Sequence, residues 1–310
     1  MVTIDCISLA EMKPATIPPK SILCLGNFDG VHLAHRALLR LAGQARQTEC
    51  PDAALAVFCF RRPSWDTLFA DRRPSHLSTL SQKLEYFREE GIEYAFVVDF
   101  PSVRELSKES FAGEVLRDGC HCVGAVCGFN YRFGKYGAGS ANELSSLLNT
   151  PVWICDEVRV GGQTVSSTRI RDLLEAGEPE TATALLTRPY GFEAEVVHGK
   201  ALGKQWNTPT INQYVPEGML IPRHGVYVTE NEVDGVCYRG VTNVGVHPTV
   251  DQNAAVNCET YLLDFEGDLY GKTTKISFLK FLRPEQKFES TEALKAQIYA
   301  DIDAARAYKP

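Results

Sequence analysis

The residues best equipped for chemistry stand together near the N-terminus, in Leu25-Gly26-Asn27-Phe28-Asp29-Gly30-Val31-His32-Leu33-Ala34-His35. A short apolar run, Ser21 to Leu25, precedes them and reads as a buried parallel strand. Arg36 to Arg46 follows, with leucines and alanines at helical spacing. A strand, a tight Gly-bearing turn and a helix N-terminus leave main-chain N–H groups able to hold phosphate. The two histidines are three positions apart at the helix start, so both imidazoles can face one bound group. A lone His-x-x-His would read as two solvated histidines at a helix entry. The Gly-Asn-Phe-Asp-Gly turn directly before it favours a nucleotide site.

Three further stretches carry chemistry. Gly128-Phe129-Asn130-Tyr131-Arg132-Phe133-Gly134-Lys135, then Gly137-Ala138-Gly139, interleaves aromatics with Arg132 and Lys135. Such a loop can stack on a flat ring and neutralise a phosphate; an ordinary Gly-rich surface loop is the plain alternative. Val165-Ser166-Ser167-Thr168-Arg169-Ile170-Arg171 reads as a helix N-terminus rich in hydroxyls with two arginines in its first turn. Arginine there opposes the helix dipole unless an anion is bound, which a triphosphate would explain. Gly199-Lys200-Ala201-Leu202-Gly203-Lys204, followed by Pro209-Thr210-Ile211-Asn212, offers a Gly-rich loop that main-chain N–H groups can use to approach phosphates. The hydroxyl of Thr210 and the amide of Asn212 can both coordinate one Mg²⁺, although Pro-Thr-x-Asn alone reads equally well as a turn.

Two kinds of element must position these residues. From Ser21 to about Leu186, strand-like runs (Ser21 to Leu25, Ala53 to Phe60, Tyr94 to Val98, Cys122 to Cys127, Val152 to Cys155) alternate with helical patterns, among them Gln82 to Glu90 and Phe111 to Arg117. Ser107 is expected to cap the latter, and Gly91 and Gly119 to stop helices. This alternation predicts a parallel sheet covered by helices on both faces, with ligands at the carboxyl ends of its strands. After Leu185-Leu186-Thr187-Arg188-Pro189-Tyr190 the pattern changes to short alternating runs. Val226 to Glu232 and Val236 to Val241 flank the hairpin signal Asp234-Gly235, Val256 to Phe265 and Lys275 to Phe281 add strands, and Thr291 to Ala305 is an amphipathic helix. We therefore expect an α/β domain over residues 1–186 and a small antiparallel β-barrel with a C-terminal helix over 187–310.

The chain of 310 residues is long enough for two cores. At 44% hydrophobic and 23% charged residues it reads as globular. A net charge of −7 argues against a general nucleic-acid or anionic-membrane binder, so phosphate recognition must be local. No apolar run approaches a membrane span, and Met1 to Pro19 lacks a signal-peptide pattern, so a cytoplasmic location is expected. Ten cysteines are scattered rather than paired. Cys24, Cys59, Cys127, Cys155 and Cys237 fall in strand-like runs and read as buried thiols. Cys120-His121-Cys122 with Cys127 has neither a Cys-x-x-Cys pair nor a second knuckle, and does not read as zinc-binding.

Two family resemblances cover nearly the whole chain. The Gly26–His35 turn resembles the G-x-F-D-G-x-H-x-G-H signature of bacterial FMN adenylyltransferases, with Ala34 at the second glycine. The Gly128 loop is similar to that family's G-x-[DN]-[FY]-x-F-G element, and Ser166 to Arg171 to its S-S-T-x-I-R motif. The P-H-P triad of many members is replaced by Phe60-Arg61-Arg62-Pro63. The later half resembles riboflavin kinases. Gly199 to Asn212 matches the G-x-x-x-G-R-x-x-G-x-P-T-A-N signature, departing at Lys204, Asn207 and Thr208. Asn243-Val244-Gly245-Val246-His247-Pro248-Thr249, Cys258-Glu259-Thr260-Tyr261 and Leu282-Arg283-Pro284 match later elements in order.

These resemblances imply a bifunctional enzyme that makes FMN from riboflavin and ATP, and FAD and pyrophosphate from FMN and a second ATP. They imply a catalytic Glu259 in the kinase half, and His32, His35 and Arg169 in the other. ATP and phosphates fall to Gly26, Phe28, Asp29, Gly30, Ser166, Ser167, Thr168 and Arg171, and to Gly199, Gly203, Lys204, Thr210 and Asn212, the last two holding Mg²⁺. Flavin falls to Asn130, Arg132, Asn243 and Arg283. A chain in which only the kinase half works is a second reading. A flavin-binding or sensing protein is a third, which the presence of Glu259, His32 and His35 disfavours. No oligomeric state follows from the sequence.

Overall fold

The structure is a computed structural model, and it describes residues 1–6, 17–62, 64, 75–199, 208–246 and 256–309. Five-residue runs such as Ser-Ile-Leu-Cys-Leu have no polar face, so they are stable only where both faces are covered. Six strands meet that condition by pairing in parallel: β1 (Val2–Cys6), β2 (Ser21–Leu25), β3 (Ala54–Phe60), β4 (Tyr94–Val98), β5 (Cys122–Gly128) and β8 (Val152–Cys155), in the order β1-β4-β3-β2-β5-β8. Edge strand β1 was not foreseen.

Alternate residues of β2 serve opposite cores. Ile22 and Cys24 face Leu38, Leu39 and Ala42 of helix α1 (Leu33–Glu49) and Phe87 of α2 (Leu80–Glu89). Leu23 and Leu25 face Phe111, Val115 and Leu116 of α3 (Phe111–Gly119) and Leu144 and Leu148 of α4 (Ala141–Leu148). Ser107 caps the turn ahead of α3, accepting from the Ser110 N–H at 3.0 Å. The chain runs outward from β2 through β3 to β4 and then crosses back to β5. The switch point lies between β2 and β5, where open parallel sheets leave a crevice at their carboxyl edge. The Gly26–His35 turn and the Gly128–Gly139 loop, which carries the two-stranded ribbon β6 (Arg132–Phe133) and β7 (Gly139–Ser140), both leave the sheet there.

By its internal contacts the chain divides into two units, Met1–Pro74 with Ser78–Ser167, and Ser75–Leu77 with Thr168–Pro310. The expected boundary at 186/187 thus falls inside the second unit. Helices α5 (Ser167–Ala176) and α6 (Pro179–Leu186) end on the barrel side, because Arg223 donates to the carbonyls of Leu174 and Ala176, each at 3.1 Å. A two-stranded ribbon, β9 (Arg159–Val160) and β10 (Gln163–Thr164), precedes α5, and the barrel that follows is closed and antiparallel. Strands β11 (Tyr190–Val197), β12 (Thr210–Tyr214), β15 (Val256–Leu262), β14 (Val236–Val246), β13 (Gly225–Val233) and β16 (Thr273–Arg283) follow one another around it. Asp234 and Gly235, with φ of 49° and 79°, turn β13 into β14 as the Asp-Gly signal required. The barrel interior is partly polar: Thr229, Thr242 and Thr260 are fully buried and linked by hydroxyl hydrogen bonds of 2.7 and 2.8 Å.

The nine cysteines from Cys24 to Cys258 are free thiols. Cys24, Cys59 and Cys127 are buried as expected, and burial pushes the Cys258 thiol up to about 12. Cys155 is only half-buried and Cys237 is exposed, because it lies on the outer face of β14. An alkylating reagent applied to the native protein is therefore expected to modify Cys237 early. Cys24 and Cys258 should react only on unfolding, as peptide mass spectrometry would record.

Candidate active sites

The first site grows from the end of β2. Phe28, Gly30 and Val31 all take positive φ, at 52°, 78° and 40°. Only Gly30 does so without steric cost, so the turn is strained and must be held by its surroundings. Phe28 anchors it. Its ring is fully buried, edge-on to Phe87 with centroids 5.2 Å apart and tilted against His35 at 5.2 Å. The expectation that Phe28 lies against nucleotide is thereby corrected for its side chain, which belongs to the core. Asp29 is also buried, and its carbonyl accepts from the Ser167 hydroxyl at 3.0 Å. Ser78 sits beneath: its Oγ accepts from the Gly30 N–H at 3.0 Å and lies 3.5 Å from Asp29 Oδ1.

Helix α1 then begins. Its N-cap residue His32 makes no side-chain cap hydrogen bond, and the first turn of the helix holds no acidic residue, so an anion there would meet a favourable dipole. His32, buried, and His35, half-buried, stack with ring centroids 3.7 Å apart and 13° between planes. The two rings, expected to be able to face one bound group, thus lie against each other at the start of α1. Ala34 lies between them, half-buried.

The loop after β5 divides its aromatics. Phe133 is buried in the core and stacks on Tyr131, with centroids 5.9 Å apart, whereas Phe129 and Tyr136 are 53% and 93% exposed and are the rings open to a ligand. Asn130 and Arg132 are exposed. Lys135, expected to neutralise phosphate, is instead 3.0 Å from Glu105, and this contact holds the Glu105 carboxyl below its ordinary value. Where the family carries a P-H-P triad, Arg61 donates to Asp99 at 3.0 Å and Arg62 is exposed.

Of the serine-rich motif, Ser166 and Ser167 fall in the first unit, and Thr168, Arg169 and Arg171 in the second. Arg171 is buried and donates to the Ser75 carbonyl at 2.6 Å, whereas Thr168 is exposed and Arg169 half-buried. Arg171 is thereby committed to a main-chain carbonyl.

The barrel site follows from strand register. Asn212 on β12 and Asn243 on β14 both pair with Glu259 on β15, so the three stand in one row across adjacent strands. Thr210 Oγ1 donates to Glu259 Oε1 at 2.7 Å. Asn212 is buried and its Oδ1 accepts from Asn257 at 2.7 Å. Gly199 passes so close that a Cβ on it would stand 2.2 Å from Asn212 Nδ2, so a side chain there would displace the Asn212 amide. A cleft of about 490 Å³ opens beside Thr210, walled by Val196, Pro209, Leu262, Phe265 and Leu269. Thr210, Glu266, Asp268 and Tyr270 add a few polar groups to these apolar walls, a combination that suits a flat ring with polar edges. Gly203, Lys204 and the His247-Pro248-Thr249 segment lie outside the described residues.

Arg283 corrects an expectation. Its guanidinium is bound to Asp301 of the C-terminal helix α7 (Thr291–Ala307), with Nη2 2.8 Å from Oδ2, and to the Pro284 carbonyl at 3.3 Å. It fastens the helix to the barrel instead of presenting a free fork to flavin. Sequence reasoning also missed Ser78, Lys83 and Asn257. Thr79-x-x-Gln82 announces the capping box that starts α2, and that was the only available pointer to the first two.

Comparison with known proteins bears on both units. A family model described as FAD synthetase matches residues 15–169, and one described as riboflavin kinase matches 186–309. A bifunctional riboflavin kinase/FMN adenylyltransferase of Listeria monocytogenes is 33% identical over 93% of this chain and 92% of its own. The chain belongs to this bifunctional family. The protein of the same name from Pseudomonas fluorescens is 34% identical over 92% of each chain, and that of Bacillus subtilis 32% over 93% and 92%. A crystal structure from Streptococcus pneumoniae, named as a macrolide-efflux protein, superposes over all of both chains with a TM-score of 0.90 at 28% identity. Among the described residues of this family member no helix is long and apolar enough to cross a membrane.

Removing Asp301 leaves the half-buried Arg283 guanidinium without its carboxylate partner. Asp301→Ala is expected to lower the stability of the second unit by about 1–3 kcal/mol, measured by chemical denaturation.

Proposed function

We propose that the two units carry two chemically independent transfers, FMN formation on the barrel and FAD formation at the two-histidine turn. The observation that carries the first is the row Asn212–Glu259–Asn243 with the Thr210 hydroxyl on the Glu259 carboxylate. Glu259 takes the proton of the ribityl 5′-hydroxyl of riboflavin as that oxygen bonds to the γ-phosphorus of ATP and ADP departs. Thr210 and Asn212 offer hard oxygen donors of the kind Mg²⁺ accepts alongside substrate phosphates, and they would hold it there. Bound Mg²⁺ supplies charge neutralisation between the phosphates. The Asn257 amide fixes the orientation of Asn212, and the cleft beside Thr210 takes the adenine ring. Asn243, with its amide on Glu285 at 3.1 Å, is assigned to flavin, and Gly199, Gly203 and Lys204 to the ATP phosphates by the motif they stand in.

In the first unit the FMN phosphate is itself the nucleophile. Its oxygen bonds to the α-phosphorus of a second ATP, the bond to the β-phosphate oxygen breaks, and pyrophosphate leaves, so no general base is needed. What the site must supply is stabilisation of the in-line transition state. His32, His35 and the uncapped N-terminus of α1 supply it, with Gly26, Asp29 and Gly30 shaping the turn. Asn130 and Arg132 are assigned to the flavin substrate. Ser166 and Ser167 are assigned to the phosphates on the strength of their motif, and Thr168 and Arg169 carry the same assignment from the sequence motif alone. The free thiols suit a reducing, cytoplasmic compartment.

Incubation with riboflavin and MgATP, followed by chromatography, tests the assignment. His35→Ala is expected to abolish FAD formation and leave FMN formation intact, and Glu259→Ala to abolish FMN formation while FMN supplied directly is still converted to FAD. Equal loss of both activities in either variant would contradict two independent sites. Asn212→Ala is expected to raise the Mg²⁺ concentration needed for FMN formation without changing that for FAD formation.

A further inference from the structure

Lys83 is 2% exposed, although nothing in its sequence setting marks it as other than a surface residue of an amphipathic helix. Lysine is almost never buried without partners, because its ammonium is costly to remove from water. Its Nζ lies 3.3 Å from the carbonyl oxygen of Phe60 and 3.5 Å from that of Asn27. Phe60 is the last residue of β3, and Asn27 stands two residues beyond the end of the neighbouring strand β2. One ammonium therefore bridges the exits of two adjacent parallel strands at the sheet's carboxyl edge. It touches the first carbonyl of the strained turn at Asn27, and Ser78, five residues earlier, holds the N–H of Gly30 at its other end.

Neither side chain is exposed enough to serve as a ligand for substrate, and the transfer chemistry described above uses neither. We propose that Lys83, with Ser78, is a positioning residue for FAD formation. The two grip the left-handed Phe28–Val31 segment from below and set the direction in which His32, His35 and the first N–H groups of α1 face the phosphates. Methionine of similar length removes the cost of desolvating the ammonium while taking one donor from the Asn27 and Phe60 carbonyls, two opposing effects on stability. A misplacement of a reacting group by about 1 Å can cost about 100-fold in rate. A positioning lysine therefore separates activity from stability, whereas a purely structural one would lose both together.

The inference rests on placing FAD formation at the two-histidine turn, so His35→Ala is assayed in parallel. In the full chain, Lys83→Met is expected to lower kcat for FAD formation from FMN and MgATP about 10- to 100-fold. The KM for FMN, the rate of FMN formation and the melting temperature should stay near those of the unaltered protein. Ser78→Ala is expected to act in the same direction, and it decides the matter if Lys83→Met does not fold. FAD formation at the unaltered rate in these variants, with His35→Ala inactive, would overturn the positioning role alone. A loss of FAD formation that only tracks a lowered melting temperature would overturn it too. Normal FAD formation by His35→Ala would instead remove the site on which the inference stands.

Discussion

Left-handed backbone at Phe28, Gly30 and Val31 is the constraint around which the first unit is arranged. Two of those three residues have side chains that disfavour that conformation, and the strain persists only because the surroundings over-determine it. Phe28 contributes by filling the space between α1 and α2. Ser78 and Lys83 contribute by occupying main-chain groups at both ends of the turn, and Ser167 by occupying the Asp29 carbonyl. The reward is geometric. The chain leaves a buried central strand and enters a helix within eight residues, Gly26 to Leu33, with two imidazoles and a helix N-terminus at the switch point of the sheet.

The second unit solves its positioning problem by register instead of strain. Side chains alternate across a strand, so Thr210 and Asn212 point to one face of β12, and pairing with β15 brings Glu259 beside both. A slip of one residue between β12 and β15 would leave Glu259 on the opposite face from Thr210 and Asn212. Behind them the barrel interior holds hydroxyls and amides that satisfy one another: Thr229 to Thr242, Thr242 to Thr260, and the Gln213 amide on the carbonyls of Ala194 and Thr274. Such a network tolerates few alternative registers, because each would leave buried polar groups unpaired. Arg283 and Asp301 then fix the C-terminal helix against this barrel.

Fold similarity by itself would not have led to this chemistry. A structure named for macrolide efflux has nearly the same backbone, and the same scaffold can carry different labels. The proposed transfers rest instead on side chains at strand ends, Glu259 with its threonine and asparagine neighbours and the stacked His32 and His35.

The amino-acid sequence determined the alternation of buried strands and helices, the Asp-Gly hairpin and the motifs at Gly26–His35 and Pro209–Asn212, since each depends on local periodicity or on a turn residue with one permitted conformation. Only the tertiary structure decided the remainder. Edge strand β1, the attachment of α5 and α6 to the barrel, the engagement of Lys135 by Glu105 and of Arg283 by Asp301, and the burial of Lys83 all depend on partners far away in the chain. A lysine on a helix carries the same local signal whether it faces water or two carbonyl groups at the ends of distant strands. Which of these it meets is settled when the strands pair.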